Sequence, residues 1–189
     1  MATEAVLYAL RRTWQILDSS NTQAALAGGL AMAVWRYPRA TLDVDILVFG
    51  SEPSFDDVNS QLLAAGFQSH GNSLVDLGQT LLRQYKVEPP DTFVDVQVDL
   101  LIANSQYSRE AIERRVRIEL DEFGFELDVL SCEDLILLKL LAGRAIDIVD
   151  AEALLNANHK TLKFEFLHQK AAELKVAEQL RRIDAEREW

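Results

Sequence analysis

Asp43-Val44-Asp45 places two carboxylates one residue apart within the run Leu42 to Phe49. The alternation of side chains predicts a strand there, with Leu42, Val44 and Ile46 on one face and Asp43 and Asp45 on the other. Two like charges on one face repel, and a cation between them removes that penalty. Carboxylate oxygens are hard ligands, which suit Mg²⁺ or Mn²⁺ rather than zinc. A third carboxylate from a neighbouring strand would complete a site for one or two ions. Asp99 is the candidate, because Val94, Val96, Val98 and Leu100 form an apolar face behind Asp95, Gln97 and Asp99. Asp95, on the same face, is the alternative third acid. A solvated acidic strand is the competing explanation for an Asp-x-Asp taken alone.

Gly28-Gly29 lies upstream, at a junction between the short apolar run Ala24–Ala27 and a helix-like stretch through Leu30, Ala33 and Val34. Paired glycines let the backbone approach a ligand closely, and N–H groups at a helix start favour phosphate oxygens. Close packing of helix on sheet would demand the same residues. Arg36 and Arg39 lie on the connection to the acidic strand, where they would meet phosphate or serve as ordinary surface charge. Trp35 and Tyr37 could line a base pocket, with core packing as the alternative. Cys132 is the one cysteine, which excludes an internal disulfide and a cysteine zinc cluster; it reads as a structural thiol. His70, His159 and His168 lack metal-ligand spacing and carry no assigned role.

These residues need elements to hold them. Residues 4–18 read as an amphipathic helix, with Val6, Leu7, Leu10, Trp14 and Leu17 near one face. Phe55–Ala65 reads as a helix ended by Gly66. Residues 80–88 and 93–102 read as strands joined by Glu88-Pro89-Pro90-Asp91-Thr92. Arg115–Leu120 and Phe125–Leu130 suggest a hairpin around residues 121–124. Ser131 with Asp134 fits a capping box in an acidic form, opening helices over 132–142, 147–156 and 164–186. In the last of these, Leu167, Ala171, Leu174 and Leu180 face inward. The pattern is α+β: a core over residues 1–130, then a helical C-terminal segment over 131–189 packed on it.

The chain has 189 residues, and 49% of them are hydrophobic, enough for a sizeable core. No apolar run is long enough to span a membrane, and the N-terminus lacks a signal-peptide pattern, so a soluble cytoplasmic protein is expected. The net charge of −11 is opposite in sign to that of a general nucleic-acid binder.

The order Ala27-Gly28-Gly29, a spacer of thirteen residues, then Asp43-Val44-Asp45-Ile46 resembles the signature of the nucleotidyltransferase superfamily. Arg39-Ala40-Thr41-Leu42-Asp43-Val44-Asp45 is similar to the motif of its AbiEii-like branch, the toxin components of type IV toxin–antitoxin pairs. Glu133-Asp134-Leu135 with Lys139, then Arg144, Asp147 and Asp150, is similar to that branch's later motif. The resemblance spans residues 24–155. It implies a mixed sheet of nucleotidyltransferase type, flanked by helices. It implies Asp43, Asp45 and Asp99 as catalytic, metal-binding residues, with Asp99 assisting at the acceptor hydroxyl. Gly28, Gly29, Arg39, Thr41 and Lys139 would bind the nucleotide, while Asp147 and Asp150 would orient Lys139 and Arg144 or simply pair with them.

The expected function is Mg²⁺- or Mn²⁺-dependent transfer of a nucleoside monophosphate from a nucleoside triphosphate to an acceptor: tRNA, protein or small molecule. An antitoxin partner is expected with the toxin-like reading. A small cationic acceptor of antibiotic type suits the acidic chain and is the alternative enzyme. A non-catalytic nucleotide-binding module is the alternative outside enzymes. Metal-dependent stabilisation by a triphosphate separates it from a module that only binds partners.

Overall fold

The computed structural model describes residues 3–50, 52–71, 74–120 and 124–185. In chain order its elements are α1 (Glu4–Ser19), β1 (Gln23–Leu26), α2 (Gly28–Val34), β2 (Asp43–Phe49), α3 (Glu52–Ala64), β3 (Gln68–Ser69), β4 (Val75–Asp76) and β5 (Thr80–Val87). There follow β6 (Val96–Ala103), α4 (Gln106–Glu113), β7 (Val116–Leu120), β8 (Phe125–Val129), α5 (Cys132–Ala142), α6 (Ala145–Asn158), α7 (Phe164–Glu173) and α8 (Ala177–Ala185). The strands form one mixed sheet in the order β3-β5-β6-β2-β1-β8-β7, with β4 paired to β5. β2 runs parallel to β6 and antiparallel to β1, so the acidic strand is central.

Burial explains that placement. Val44, Ile46, Leu47 and Val48 are all fully buried, so β2 is covered on both faces beyond its first turn of pleat. Its acidic face becomes apolar at Leu47, and its Asp43–Asp45 end is left half-buried. β6 repeats the pattern: Val96, Val98 and Leu100 are buried, while Gln97 and Asp99 are half-buried. α1 covers the sheet with Val6, Leu7, Ala9, Leu10 and Leu17, and Thr3 caps its start by accepting from the Val6 N–H at 3.3 Å.

Several expectations are corrected. Leu42 precedes β2 and is 79% exposed, so it is not on the buried face. Val94 and Asp95 precede β6, and Val94 is likewise exposed. The helix read over 164–186 is two helices within the described residues. Lys175 adopts φ 61, and the Val176 and Lys175 N–H groups return to the Ala171 and Ala172 carbonyls, a C-terminal stop usually built with glycine. Residue 186 and the turn at 121–123 lie outside the described residues. α4 was not expected; Ser105 and Ser108 form a reciprocal capping box at its start.

The Ser131–Asp134 pair caps only in part. Ser131 Oγ accepts from the Asp134 N–H, but the Asp134 carboxylate receives the Ser131 hydroxyl and a forked pair of bonds from Arg114, at 2.8 and 3.0 Å. A wholly buried carboxylate needs such partners. Arg114 also lies over the Phe166 ring on α7, which joins the α4–β7 corner to α5 and α7. Asn158 on α6 donates to the Trp35 carbonyl at 2.6 Å, and Trp35 Nε1 donates to the Leu130 carbonyl at 2.8 Å. These ties hold the helices against the end of α2, beside the acidic strand.

Candidate active site

Two rungs of the sheet bring the carboxylates together. Asp43 is the register partner of Gln97, and Asp45 is the partner of Asp99. In a parallel pair, partnered residues point to the same face. Asp43, Asp45 and Asp99 therefore share one half-buried shelf at the start of β2. Asp95 lies outside the strand, off these rungs.

The glycines press on the shelf from β1. The Ala27 N–H donates to the Asp45 carbonyl at 2.8 Å, which fixes the junction. Gly28 has φ +56, and a Cβ there would lie 1.7 Å from Asp45 Oδ2. A Cβ on Gly29 would lie 2.8 Å from Thr41 Oγ1 and 2.9 Å from Thr41 Cβ. Both positions thus lack room for any larger residue. Thr41 is buried, and its hydroxyl donates to Asp43 Oδ1.

Asp45 and Asp99 are both perturbed by their surroundings. Burial, then repulsion from Asp43 and Asp99, pushes the Asp45 carboxyl up to about 7, against the pull of Lys139 and Arg39. Asp99 is also raised, chiefly by burial and in lesser part by Asp43. The Gln84 and Gln97 amides, donating to its Oδ1 at 3.2 and 3.0 Å, hold it down in part.

A cationic wall faces this shelf from α5, α6 and the loop before β2. Lys139 is nearly buried and bridges Asp147 at 3.0 Å and Asp150 at 2.8 Å. It is therefore no surface lysine. Arg144 closes on Asp147 at 2.5 and 3.1 Å, and the charge of Asp45 adds to the rise in its own pKa. Burial alone would raise Asp147, but Arg144 and Lys139 hold it below the usual carboxylate range. Arg39 reaches Asp150 at 3.5 Å. Asp150 is buried and held by these ion pairs rather than by well-angled hydrogen bonds.

Three carboxylates of this kind could hold a hard divalent ion, and burial with mutual repulsion makes an ion favourable there. Among the described residues no group of three His, Cys, Asp or Glu side chains is already closed into a metal-holding arrangement. Cavities of about 620 Å³, around His159, Leu162 and Phe164, and about 200 Å³, around Trp14, Thr22 and Arg115, lie elsewhere and are not lined by these acids.

Other candidates fall away. Cys132 is buried and its thiol is pushed up to about 12 by burial, then by Glu133, so it carries no thiolate near neutral pH. The hydrogen bond of the half-buried Trp35 ties it to the core. Gln84 carried no signal in the sequence, since its closeness to Asp99 depends on the β5–β6 register. Gln97 was visible on the acidic face, but nothing there pointed to a bond with Asp99.

The family described as "Nucleotidyl transferase AbiEii toxin, Type IV TA system" matches residues 10–187. No curated protein matches the sequence. Among solved structures, an antigenic nucleotidyltransferase-like protein from Paracoccidioides brasiliensis shares 20% identity and a TM-score of 0.54, with 91% of each chain covered. ANT(2")-Ia in complex with adenylyl-2"-tobramycin shares 14% identity and a TM-score of 0.58, covering 89% of this chain and 96% of its own. A protein from Thermotoga maritima described as a nucleotidyltransferase shares 16% identity and a TM-score of 0.53, covering 79% and 92%. At these identities the likeness is one of fold.

Proposed function

The chain belongs to the AbiEii nucleotidyltransferase family, and from that membership we propose that Asp43, Asp45 and Asp99 carry a divalent metal-dependent transfer of a nucleoside monophosphate to an acceptor hydroxyl. The observation that supports this reading is the Asp45–Asp99 rung, with the Asp45 carboxyl raised to about 7 beside two further acids. Perturbed carboxyls clustered against a cationic wall are what charged-group chemistry needs.

The residues divide the work. Asp43, Asp45 and Asp99 would hold Mg²⁺ or Mn²⁺. When bound, the metal supplies Lewis-acid stabilisation of charge on the phosphate oxygens and the leaving pyrophosphate. The backbone at Gly28 and Gly29 lies against Asp45 and Thr41, where phosphate oxygens would meet the first N–H groups of α2. Lys139, Arg39 and Arg144 face the negative charge of the triphosphate, with Asp147 and Asp150 holding them in place. Thr41 keeps Asp43 oriented. The acceptor oxygen attacks the α-phosphorus, the bond to the β-phosphate oxygen breaks, and pyrophosphate leaves. Asp99 takes the acceptor proton.

For the acceptor we propose a tRNA end, following the toxin-like motif Arg39–Asp45, with an antitoxin as protein partner and the cytoplasm as its place of action. A second reading, a small cationic acceptor, is favoured by the net charge of −11 and by the fold shared with ANT(2")-Ia in complex with adenylyl-2"-tobramycin. Among the described residues no helix is long and apolar enough to cross a membrane.

The test is incubation with each triphosphate labelled at the α-phosphate, Mg²⁺ or Mn²⁺, and tRNA, protein or aminoglycoside-like acceptors in separate reactions. Label in tRNA supports the first reading and label in the small molecule the second. Nucleotide binding without labelled product in any reaction would leave a binding module and remove the catalytic proposal.

A further inference from the structure

We propose that Gln84 and Gln97 are positioning residues that tie one oxygen of Asp99 and leave the other directed at the bound ion and acceptor. The inference rests on the reading of Asp99 given above. Two rungs that point to the same face cross three strands, with the Val44–Val98–Tyr85 rung between them: Asp45, Asp99 and Gln84 make one, and Asp43, Gln97 and Lys86 make the other. Gln84 reaches Asp99 from the neighbouring strand, while Gln97 reaches it from two residues earlier on the same strand. Both amides donate to Oδ1, at 3.2 and 3.0 Å. A carboxylate oxygen has two lone pairs, so these donors satisfy Oδ1 and leave Oδ2 as the ligand atom.

The choice of residue type has a physical reason. Asp99 carries charge that a cation needs. A lysine or arginine against it would orient the carboxylate but cancel that charge. An apolar side chain would keep the charge but leave the carboxylate free to turn under repulsion from Asp43, which already acts on it. An amide supplies direction without charge. Two amides from two strands fix the plane of the carboxylate, which one donor would not. Asp43 is held in a parallel way by the neutral Thr41 hydroxyl. Two of the three acids are thus oriented by uncharged donors.

The experiment uses the full chain with Gln84→Met, Gln97→Met and the double variant, since methionine matches glutamine in length without an N–H. Mn²⁺ affinity is read by electron paramagnetic resonance without nucleotide or acceptor, alongside kcat and the triphosphate KM. Asp99→Asn is the reference, and circular dichroism checks each fold. The double variant is expected to bind Mn²⁺ about tenfold or more weakly, as loss of groups orienting metal ligands does. Its kcat should fall while KM changes less than about twofold, the pattern of a lost transition-state interaction. If Asp99→Asn weakens Mn²⁺ binding and the double variant does not, Asp99 stands and the positioning role is overturned. If Asp99→Asn itself binds Mn²⁺ like wild type, the underlying reading of Asp99 fails and this inference fails with it. Should the double variant not fold, the single variants are read the same way, each expected to show part of the loss; wild-type Mn²⁺ affinity in both would overturn the inference.

Discussion

Asp45 on β2 and Asp99 on β6 are partners across a parallel strand pair, and repulsion from Asp99 is one of the forces that raise the Asp45 carboxyl to about 7. Parallel pairing in this register puts two acids side by side on one face at the open end of the sheet. Behind them, Val44, Ile46, Val98 and Leu100 are buried and hold the register. A slip of one residue would turn every one of these side chains to the wrong face. The core therefore fixes the position of the charges.

Gly28→Ala is expected to abolish transfer and to lower stability. The added Cβ would meet Asp45 Oδ2 at 1.7 Å, so the carboxylate must move. The φ of +56 adds a left-handed conformational cost of roughly 1–2 kcal/mol for a residue with a Cβ. Denaturant unfolding and labelled-triphosphate transfer check the two effects. A stable variant with wild-type turnover would show that the glycine has no bearing on the acids.

The metal-free protein should lose stability as pH rises from about 4 to about 7. In the folded chain Asp45 titrates near 7, above its ordinary value of 3.8. Between those values the native state keeps a proton that the unfolded state has released, so stability falls with increasing pH. On the proposed reading Mg²⁺ would take the place of that proton, so its stabilising effect should be larger at pH 8 than at pH 5. Thermal unfolding with and without Mg²⁺ across this range measures it. Asp45→Asn should remove the slope, and an unchanged slope would assign it to other groups.

Asp150→Ala is expected to cost about 3 kcal/mol, the lower end for breaking a buried ion pair, because Asp147 still holds Lys139. Arg39 loses its partner at the same time, so the triphosphate KM should rise. Urea unfolding gives the first quantity and steady-state kinetics the second. A neutral substitution would mean that the cationic wall stands without Asp150.

The alternating strands, the glycine junction and the starts of α1, α5 and α7 were legible because each is a local pattern. Val44 and Ile46 behind Asp43 and Asp45 announced β2, and Val98 and Leu100 announced β6. The strand ends were not legible: Leu42 and Val94 continue the alternation but lie beyond the ladder, exposed. The break between α7 and α8 was hidden because Lys175, not glycine, takes the left-handed turn. The bonds from Gln84 to Asp99 and from Arg114 to Asp134 depend on pairing distant segments, which no local spacing encodes.

The role of the Asp43–Asp45–Asp99 shelf is measured by transfer of α-phosphate label by Asp43→Asn beside wild type, with circular dichroism confirming both folds. Asparagine has nearly the shape of aspartate, and Val44 and Ile46 pack on the opposite face, so the fold should survive. On the proposed reading the variant would lack one charged ligand, and charge on the departing pyrophosphate would lose stabilisation. A loss of this kind lowers the rate by ~10²–10³, or about 2.7–4 kcal/mol. A folded protein with transfer reduced by at least that factor is expected. A folded Asp43→Asn with wild-type transfer would contradict it, and would take the Asp43–Asp45–Asp99 shelf out of the chemistry.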